Sequence, residues 1–252
     1  MPSEGNLEYA LTRIQSQYDR RLTVGDWHRL ESAHDLGQYL DGMRRSALAP
    51  WVSSLDRNRE PHAIERSLRS AWARYVREVS AWHPRRWQSW LAWLEWLPML
   101  GLMAQLARAE AAPAWLQADP LLGPITGGTH VERLAALTGA GLDVFEPGIA
   151  GRVPLDDLWL ARWRVLKPSA DARTDDLLKV TCEAVQKHAR QLESDGIDVT
   201  ALREQLRERL LKLFRATSGT VVATLCHLAL MALDLERLRG GLVTRSLFAR
   251  GP

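Results

Sequence analysis

Tryptophan is concentrated in one stretch of the chain, WHPRRWQSWLAWLEWLP, at residues 82–98. Five of the eleven Trp residues lie there, at positions 82, 87, 90, 93 and 96. The last four are three residues apart, so on an α-helix their rings wind across about half of the circumference. Leucines lie beside them, and a helix that is apolar over so much of its surface is mostly enclosed. The stretch predicts a central helix of a helical core.

The same four residues support a second interpretation, in which an outer tryptophan edge contacts another protein. The candidate partner-contact residues are Trp87, Trp90, Trp93 and Trp96. Aromatic rings also stack on nucleic-acid bases, but no basic groove pattern accompanies these. The sequence therefore predicts either burial or protein contact for this stretch.

A membrane span is the third interpretation, since Trp87 to Ala107 contains only one charged residue, Glu95. That carboxylate would lie near the bilayer centre, at a cost of about 2.5–3.5 kcal/mol on insertion scales. Pro98 and Gly101 also interrupt the helix. Tryptophan in a span belongs at its two ends rather than along half of it. We therefore expect no transmembrane span.

Composition is that of a globular chain, with 46% apolar and 25% charged residues among 252. The net charge is +3, and Lys and Arg are spread along the sequence instead of forming a dense basic face. Nucleic acid is therefore not an expected partner. The start of the chain is polar and acidic, so it does not predict a secretory signal. Cys182 and Cys226 predict two reduced thiols in a cytosolic protein.

Helical spacing over the first ~110 and last ~80 residues predicts an all-α multi-helix bundle. We divide the chain into an N-terminal module at 1–110, a middle rich in Pro and Gly at 111–173, and a C-terminal segment at 174–252. The middle is expected to hold short helices, including HVERLAALTG and PLDDLWLARWRVL. The C-terminal segment is expected to form three antiparallel helices that pack back on the N-terminal module.

Several helix boundaries have local signals in the N-terminal module. Thr23 with Asp26 forms a predicted capping box, and Ser32 with Asp35 repeats its spacing. Pro61 is expected to open a long amphipathic helix, where its missing N–H costs nothing.

In the C-terminal segment, Thr174 is the predicted cap of one helix. A second helix is expected from about Thr200 to Arg215. The last is expected to end near Arg239, before Gly240 and Gly241.

Catalytic motifs are absent from the sequence, including phosphate-binding loops, dinucleotide fingerprints and metalloprotease helices. No two of the seven histidines are spaced by three or four residues, so no helical metal site is predicted. Cys226 is expected to be buried, and the ring nitrogens of His227 are expected to be satisfied by hydrogen bonds. The stretch GPITGGTH is expected to be a plain loop, with a backbone anion nest as the alternative. We therefore predict no catalytic residue, metal or cofactor.

Two segments resemble the C subunit of V/A-type rotary ATPases, a family that includes the d subunit of the eukaryotic V-ATPase. The first is residues 10–52, which carry the Arg13-Ile14 pair, Arg21-Leu22-Thr23, Asp26-Trp27, Leu30, Leu36 to Leu40, and Pro50-Trp51. The second is residues 228–245, with Asp234, Glu236, Leu238 and Arg239 in an acidic run followed by a Leu-Arg element. Together they cover about a quarter of the chain.

The resemblance implies a shortened bundle of repeated helical modules and a non-catalytic role. Family members join the soluble central stalk to the membrane rotor ring of proteolipid subunits and pass on rotation. The implied partners are these ATPase subunits, and the implied location is the cytoplasm or the inner face of the membrane. The alternative is a helical scaffold or regulatory module outside any ATPase. An enzyme would instead require a polar cleft lined by histidine and carboxylate groups.

Overall fold

The computed structural model describes residues 6–57, 60–108, 112–126, 129–192 and 198–248. Within these ranges the chain is helical and contains no strand, so the predicted all-α multi-helix bundle is confirmed. The α-helices are α1 Leu7–Asp19, α2 Val24–Glu31, α3 Leu36–Arg44, α4 Ala49–Val52, α5 Pro61–Ala81, α6 Arg85–Ala92, α7 Leu97–Arg108, α8 Ala114–Gln117, α9 Gly123–Thr126, α10 His130–Gly139, α11 Glu146–Ile149, α12 Leu155–Leu166, α13 Ala172–Leu192, α14 Val199–Ala216 and α15 Val221–Phe248. Two 3₁₀ turns, Trp93–Trp96 and Asp143–Phe145, separate neighbouring helices.

The central element of the bundle is α15. It packs against α1, α3 and α5 on one side and against α13 and α14 on the other. Its first half, VVATLCHLALMAL, is apolar on nearly all sides, and most of these residues are buried. A helix without a polar face must be enclosed by its neighbours. Consequently α15 joins the two ends of the chain into one core, which also includes residues of the middle segment.

Helix starts in the N-terminal part follow the local signals closely. Thr23 and Asp26 form the predicted capping box at α2, with the Thr23 hydroxyl oxygen accepting from the Asp26 N–H. Pro61 begins α5 as predicted. The interpretation of Ser32 was wrong, because it ends α2, and the carboxylate of Asp35 caps α3 alone by accepting from the Gln38 N–H.

A different residue caps α13 from the one expected. The helix begins at Ala172, and Thr174 lies inside its first turn. The Thr174 N–H and hydroxyl both donate to the carboxylate of Asp171, at 2.9 and 2.8 Å. Asp171 therefore satisfies the free N–H, and the prediction for Thr174 was wrong. The helix expected from Thr200 to Arg215 is present as α14, and Gly219, at φ +90°, forms the turn to α15.

The last helix does not end before Gly240 and Gly241 but continues through both to Phe248. Gly241 lies against the buried ring of Tyr39 on α3, and a Cβ at this position would come within 2.3 Å of the Tyr39 Oη. A Cβ at Gly240 would meet nothing within 4 Å. Glycine at 241 therefore allows a close helix approach, and it is not a helix stop.

Gly241→Ala is expected to destabilise the protein by about 1–3 kcal/mol, because overpacking forces the buried tyrosine to move. Gly240→Ala is the matched control and should stabilise it by about 0.5–1 kcal/mol, the usual gain from Ala over Gly inside a helix. Chemical denaturation of both variants measures the two effects. Equal stabilisation by both substitutions would contradict the close packing of Gly241 on Tyr39.

None of the helices in the described ranges meets the length and hydropathy that crossing a bilayer requires. The prediction of one central helix at residues 82–98 was wrong, although four of the five Trp residues there are buried as that prediction required. The stretch is split into α6, a 3₁₀ turn and α7, with Pro98 in the first turn of α7, where its missing N–H is tolerated. Cys182 and Cys226 are free thiols, as expected.

Candidate functional site: a basic pocket above a buried polar cluster

Three of the four candidate partner-contact tryptophans are core residues. Trp87, Trp90 and Trp93 are 3%, 0% and 9% exposed, and only Trp96 is half-buried. A side chain with so little accessible surface cannot meet a partner without rearrangement of the bundle. Of the four, Trp96 alone offers surface for protein contact in this structure.

The buried tryptophans pack against a second aromatic pair on α12. Trp90 stacks on Trp163 at 4.8 Å between ring centroids. The Trp93 Nε1–H donates to the Trp159 carbonyl at 3.1 Å, and the Trp159 Nε1–H donates back to the Trp93 carbonyl at 3.3 Å. These contacts attach the middle segment to the N-terminal module. In the sequence, Leu155, Trp159 and Trp163 recur every four residues, and this spacing was the signal that could have predicted the buried face of α12.

Glu95, the charge within the tryptophan-rich stretch, is partly buried and paired. Its carboxylate lies 3.0 Å from the Arg77 Nε on α5. Burial raises the pKa of Glu95, and the nearby Arg77 opposes that rise. The side chain therefore serves as a link between α5 and the 3₁₀ turn.

One face of α15 carries three of the four buried polar side chains in this helix, with Ser246 as the exception. The residues of this face recur at alternating steps of three and four. The members of this face are Thr224, His227, Met231, Asp234, Leu238, Gly241 and Arg245. The Thr224 hydroxyl hydrogen-bonds His83 Nε2 at 2.9 Å, and at the other end the Arg245 guanidinium donates to the carbonyls of Glu31 and Ala33. Since all these partners precede residue 84, this face fastens α15 to the N-terminal module.

Asp234 holds two arginines from distant parts of the chain. The Arg21 Nε–H and Nη2–H donate to its Oδ2 at 2.9 and 2.7 Å, and the Arg207 Nη2–H donates to its Oδ1. The three side chains are only 9%, 3% and 13% exposed for Arg21, Asp234 and Arg207. A buried carboxylate that accepts charge-assisted bonds from two guanidinium groups ties α1, α14 and α15 together.

His227 lies on the same face, completely buried, with its Nε2 2.6 Å from the Tyr75 Oη. Burial, assisted by the Arg21 charge, lowers the pKa of His227 to about 3, so the ring is neutral at physiological pH. Burial also raises the pKa of the Tyr75 phenol. Both groups are therefore locked in their neutral forms. The expectation of a buried Cys226 is confirmed, but that of a satisfied His227 was only half right, because its buried Nδ1 has no hydrogen-bond partner among the described residues.

Directly over this cluster lies a pocket of about 410 Å³, which we call the basic pocket. It opens between α1, α4, α5 and α15, and such a volume is typical of ligand pockets. Its charged lining residues are Arg20, Arg21, Arg74, Glu78 and Asp234. Its apolar lining includes Leu22, Leu48, Pro50, Trp51 and Met231. These residues come from four separate regions of the chain, and sequence analysis did not identify the pocket.

A second groove, of about 770 Å³, lies between α5, α7, α8 and α15. It brings His62 together with Glu65 and Glu236, the residue types that an assembled catalytic site would need. Both carboxylates are already paired with arginines, Glu65 with Arg239 and Glu236 with Arg203. The His62 ring stacks on Trp115 at 4.3 Å. Among its described lining residues there is no hydroxyl, thiol or lysine amine to act as a nucleophile.

The part of the chain that the structure describes contains no group of three or more His, Cys, Asp or Glu side chains able to hold a metal ion. The expectation of a plain loop at GPITGGTH was wrong for its first four residues, because Gly123–Thr126 form α9. Residues 127–128 lie outside the described residues, so the anion nest is not tested. Thr129, which follows, forms a capping box with Glu132 at the start of α10.

Comparison of the chain with models of protein families, with curated proteins and with solved structures gave no match.

Proposed function

We propose that this chain is a non-catalytic adaptor of a V/A-type rotary ATPase, joining the central stalk to the membrane rotor ring. The proposal begins from the resemblance of residues 10–52 and 228–245 to the C subunit of such ATPases. It is the resemblance, not the bundle alone, that specifies the ATPase.

The contact between these two segments is the observation that carries the proposal. They lie at opposite ends of the sequence, yet they pack together along α15. Arg21 binds Asp234, and Arg237 donates two hydrogen bonds to the carboxylate of Glu31, at 2.5 and 2.6 Å. Gly241 fits against Tyr39. The two resembling segments thus belong to one structural unit, as a common origin of the pattern requires.

Stiffness is the physical property that a torque-passing adaptor needs, and α15 supplies it. With 28 residues the helix is about 42 Å long. It is held at its start by the bond from Thr224 to His83 and near its end by Arg245. A helix fixed at both ends to a packed core transmits force with little bending.

A helical interaction module outside any ATPase is the second candidate. The basic pocket fits both candidates, because a charged pocket can bind a partner protein whether or not that partner is an ATPase subunit. The two candidates differ in which proteins accompany the chain in the cell.

Affinity purification of the tagged chain from its native membranes, with bound proteins identified by mass spectrometry, separates them. The ATPase proposal predicts recovery of stalk and proteolipid subunits in fixed ratio with the chain. A matched preparation of the Asp234→Ala variant, which removes one of the contacts between the two segments, should recover less of them. Complete absence of ATPase subunits from the wild-type preparation would reject the proposal.

A further inference from the structure

Charge pairing leaves the basic pocket with an excess of cations. Asp234 is bound by Arg21 and Arg207, and Glu78 lies 3.6 Å from Arg13. Each acid that lines the pocket therefore has a basic partner already. Arg20 and Arg74 are exposed, and neither side chain forms a hydrogen bond or ion pair with the described residues.

The local structure accounts for one of these two arginines but not for the other. Arg20 is the C-cap of α1, where a cation is favoured by the helix dipole. Arg74 lies in the middle of α5, so no helix end explains its charge. Glu78, one helical turn after Arg74, is already paired with Arg13. Arg20 and Arg74 line the same concave site, and an anion bound there would compensate both charges.

Apolar residues form the rest of the pocket. Trp51 packs edge-on against Tyr75, with ring centroids 5.1 Å apart, and Leu48 and Met231 lie alongside. Guanidinium groups bind planar carboxylates through two parallel hydrogen bonds, and an apolar surface next to them excludes water. This combination selects an anionic group that has an apolar neighbour.

We propose that the basic pocket binds an acidic side chain and an adjacent apolar side chain on a segment of a partner protein. The binding of an anionic, partly apolar group by the pocket does not depend on the ATPase assignment. The inference rests on the proposed adaptor role in one respect, which is that the occupant is taken to be a protein. Two free arginines match one or two carboxylates. They are too few for a phosphate backbone, which needs an extended basic face, or for an anionic membrane, which recruits clusters of about four to eight cations.

Fluorescence anisotropy with two labelled hexapeptides tests the proposal on the full chain. One peptide has the sequence Glu-Leu-Glu-Glu-Leu-Glu, and the other has Gln in place of every Glu. The acidic peptide should bind at least about tenfold more tightly, since charge-assisted hydrogen bonds exceed neutral ones by that margin. Its affinity should also fall as salt rises, because both arginines are exposed.

The pocket variant is Arg20→Ala with Arg74→Ala, and the control is Arg133→Ala with Arg162→Ala. The control arginines are also exposed and unpaired among the described residues, on α10 and α12, away from the pocket. Both double variants lose two surface charges, so nonspecific attraction falls equally. The pocket variant should bind the acidic peptide about tenfold more weakly than the control does, at an unchanged melting temperature.

Three results would overturn the inference. The first is no binding of the acidic peptide by the wild type at millimolar concentration. The second is equal weakening in the pocket and control variants. The third is displacement of the peptide by inorganic phosphate or citrate at concentrations no higher than those at which the peptide binds, since the occupant would then be a free anion. Pocket-dependent peptide binding without recovery of ATPase subunits would uphold the pocket and reject the ATPase assignment.

Discussion

Asp234→Ala is expected to lower the free energy of unfolding by about 3–5 kcal/mol, the cost of removing one partner from a buried ion pair. The loss arises mainly from Arg21 and Arg207, whose side chains are 9% and 13% exposed and would lose the carboxylate that compensates them. Chemical denaturation measures the change. Asp234→Asn should cost less, because it retains an acceptor for one guanidinium group while removing the charge.

Glu236→Ala provides the matched control on the same helix. Glu236 also pairs with an arginine, Arg203, but the two side chains are 49% and 41% exposed. Exposed pairs contribute little because water and salt screen them, so the change should stay within about 0.5 kcal/mol. If Asp234→Ala were as mild as Glu236→Ala, the buried cluster could not be what joins α1, α14 and α15.

Trp90→Ala is expected to cost about 3–5 kcal/mol, the usual effect of truncating a fully buried tryptophan. Its ring is 0% exposed and lies between Trp163, at 4.8 Å, and Trp87, at 5.4 Å. Its Nε1 has no hydrogen-bond partner among the described residues, so the loss comes from the cavity and the lost burial alone. A melting curve and a denaturant titration of the variant give the value.

Trp96→Ala removes the same side chain from a half-buried position six residues later and serves as the control. It should cost less than half as much as Trp90→Ala, since part of the ring is already in water. If Trp96 contacts a partner, its replacement should weaken assembly by more than its smaller effect on the melting temperature accounts for. Equal losses at both positions would contradict the described burial.

Local sequence signals predicted the helices well because they act within one turn. The capping box at Thr23 and the proline at 61 satisfy or avoid free N–H groups using only nearby residues. The same logic failed at Gly240 and Gly241, where the pattern of a helix end was present. The structural role of Gly241 depends on its contact with Tyr39, which is far away in the sequence and is brought near by packing.

The basic pocket could not be predicted from the sequence for the same reason, since its residues are brought together only by tertiary structure. Arg20 and Arg74 show nothing unusual in the sequence, and they become a site only because α1 and α5 meet α15. A signal for one part was present in the sequence but was not used. Asp234 continues the three-and-four spacing of Thr224 and His227 at the end of the apolar run 221–233, and a charge at such a position predicts a buried partner.

ATP-driven ion transport and ATP hydrolysis, measured side by side in membrane vesicles from cells with and without this chain, test the proposed coupling role most directly. A non-catalytic adaptor between stalk and rotor ring predicts that vesicles without the chain lose transport while ATP hydrolysis by the catalytic part continues. Returning the wild-type chain should restore transport. Transport that is unaffected by removal of the chain would contradict the proposed function.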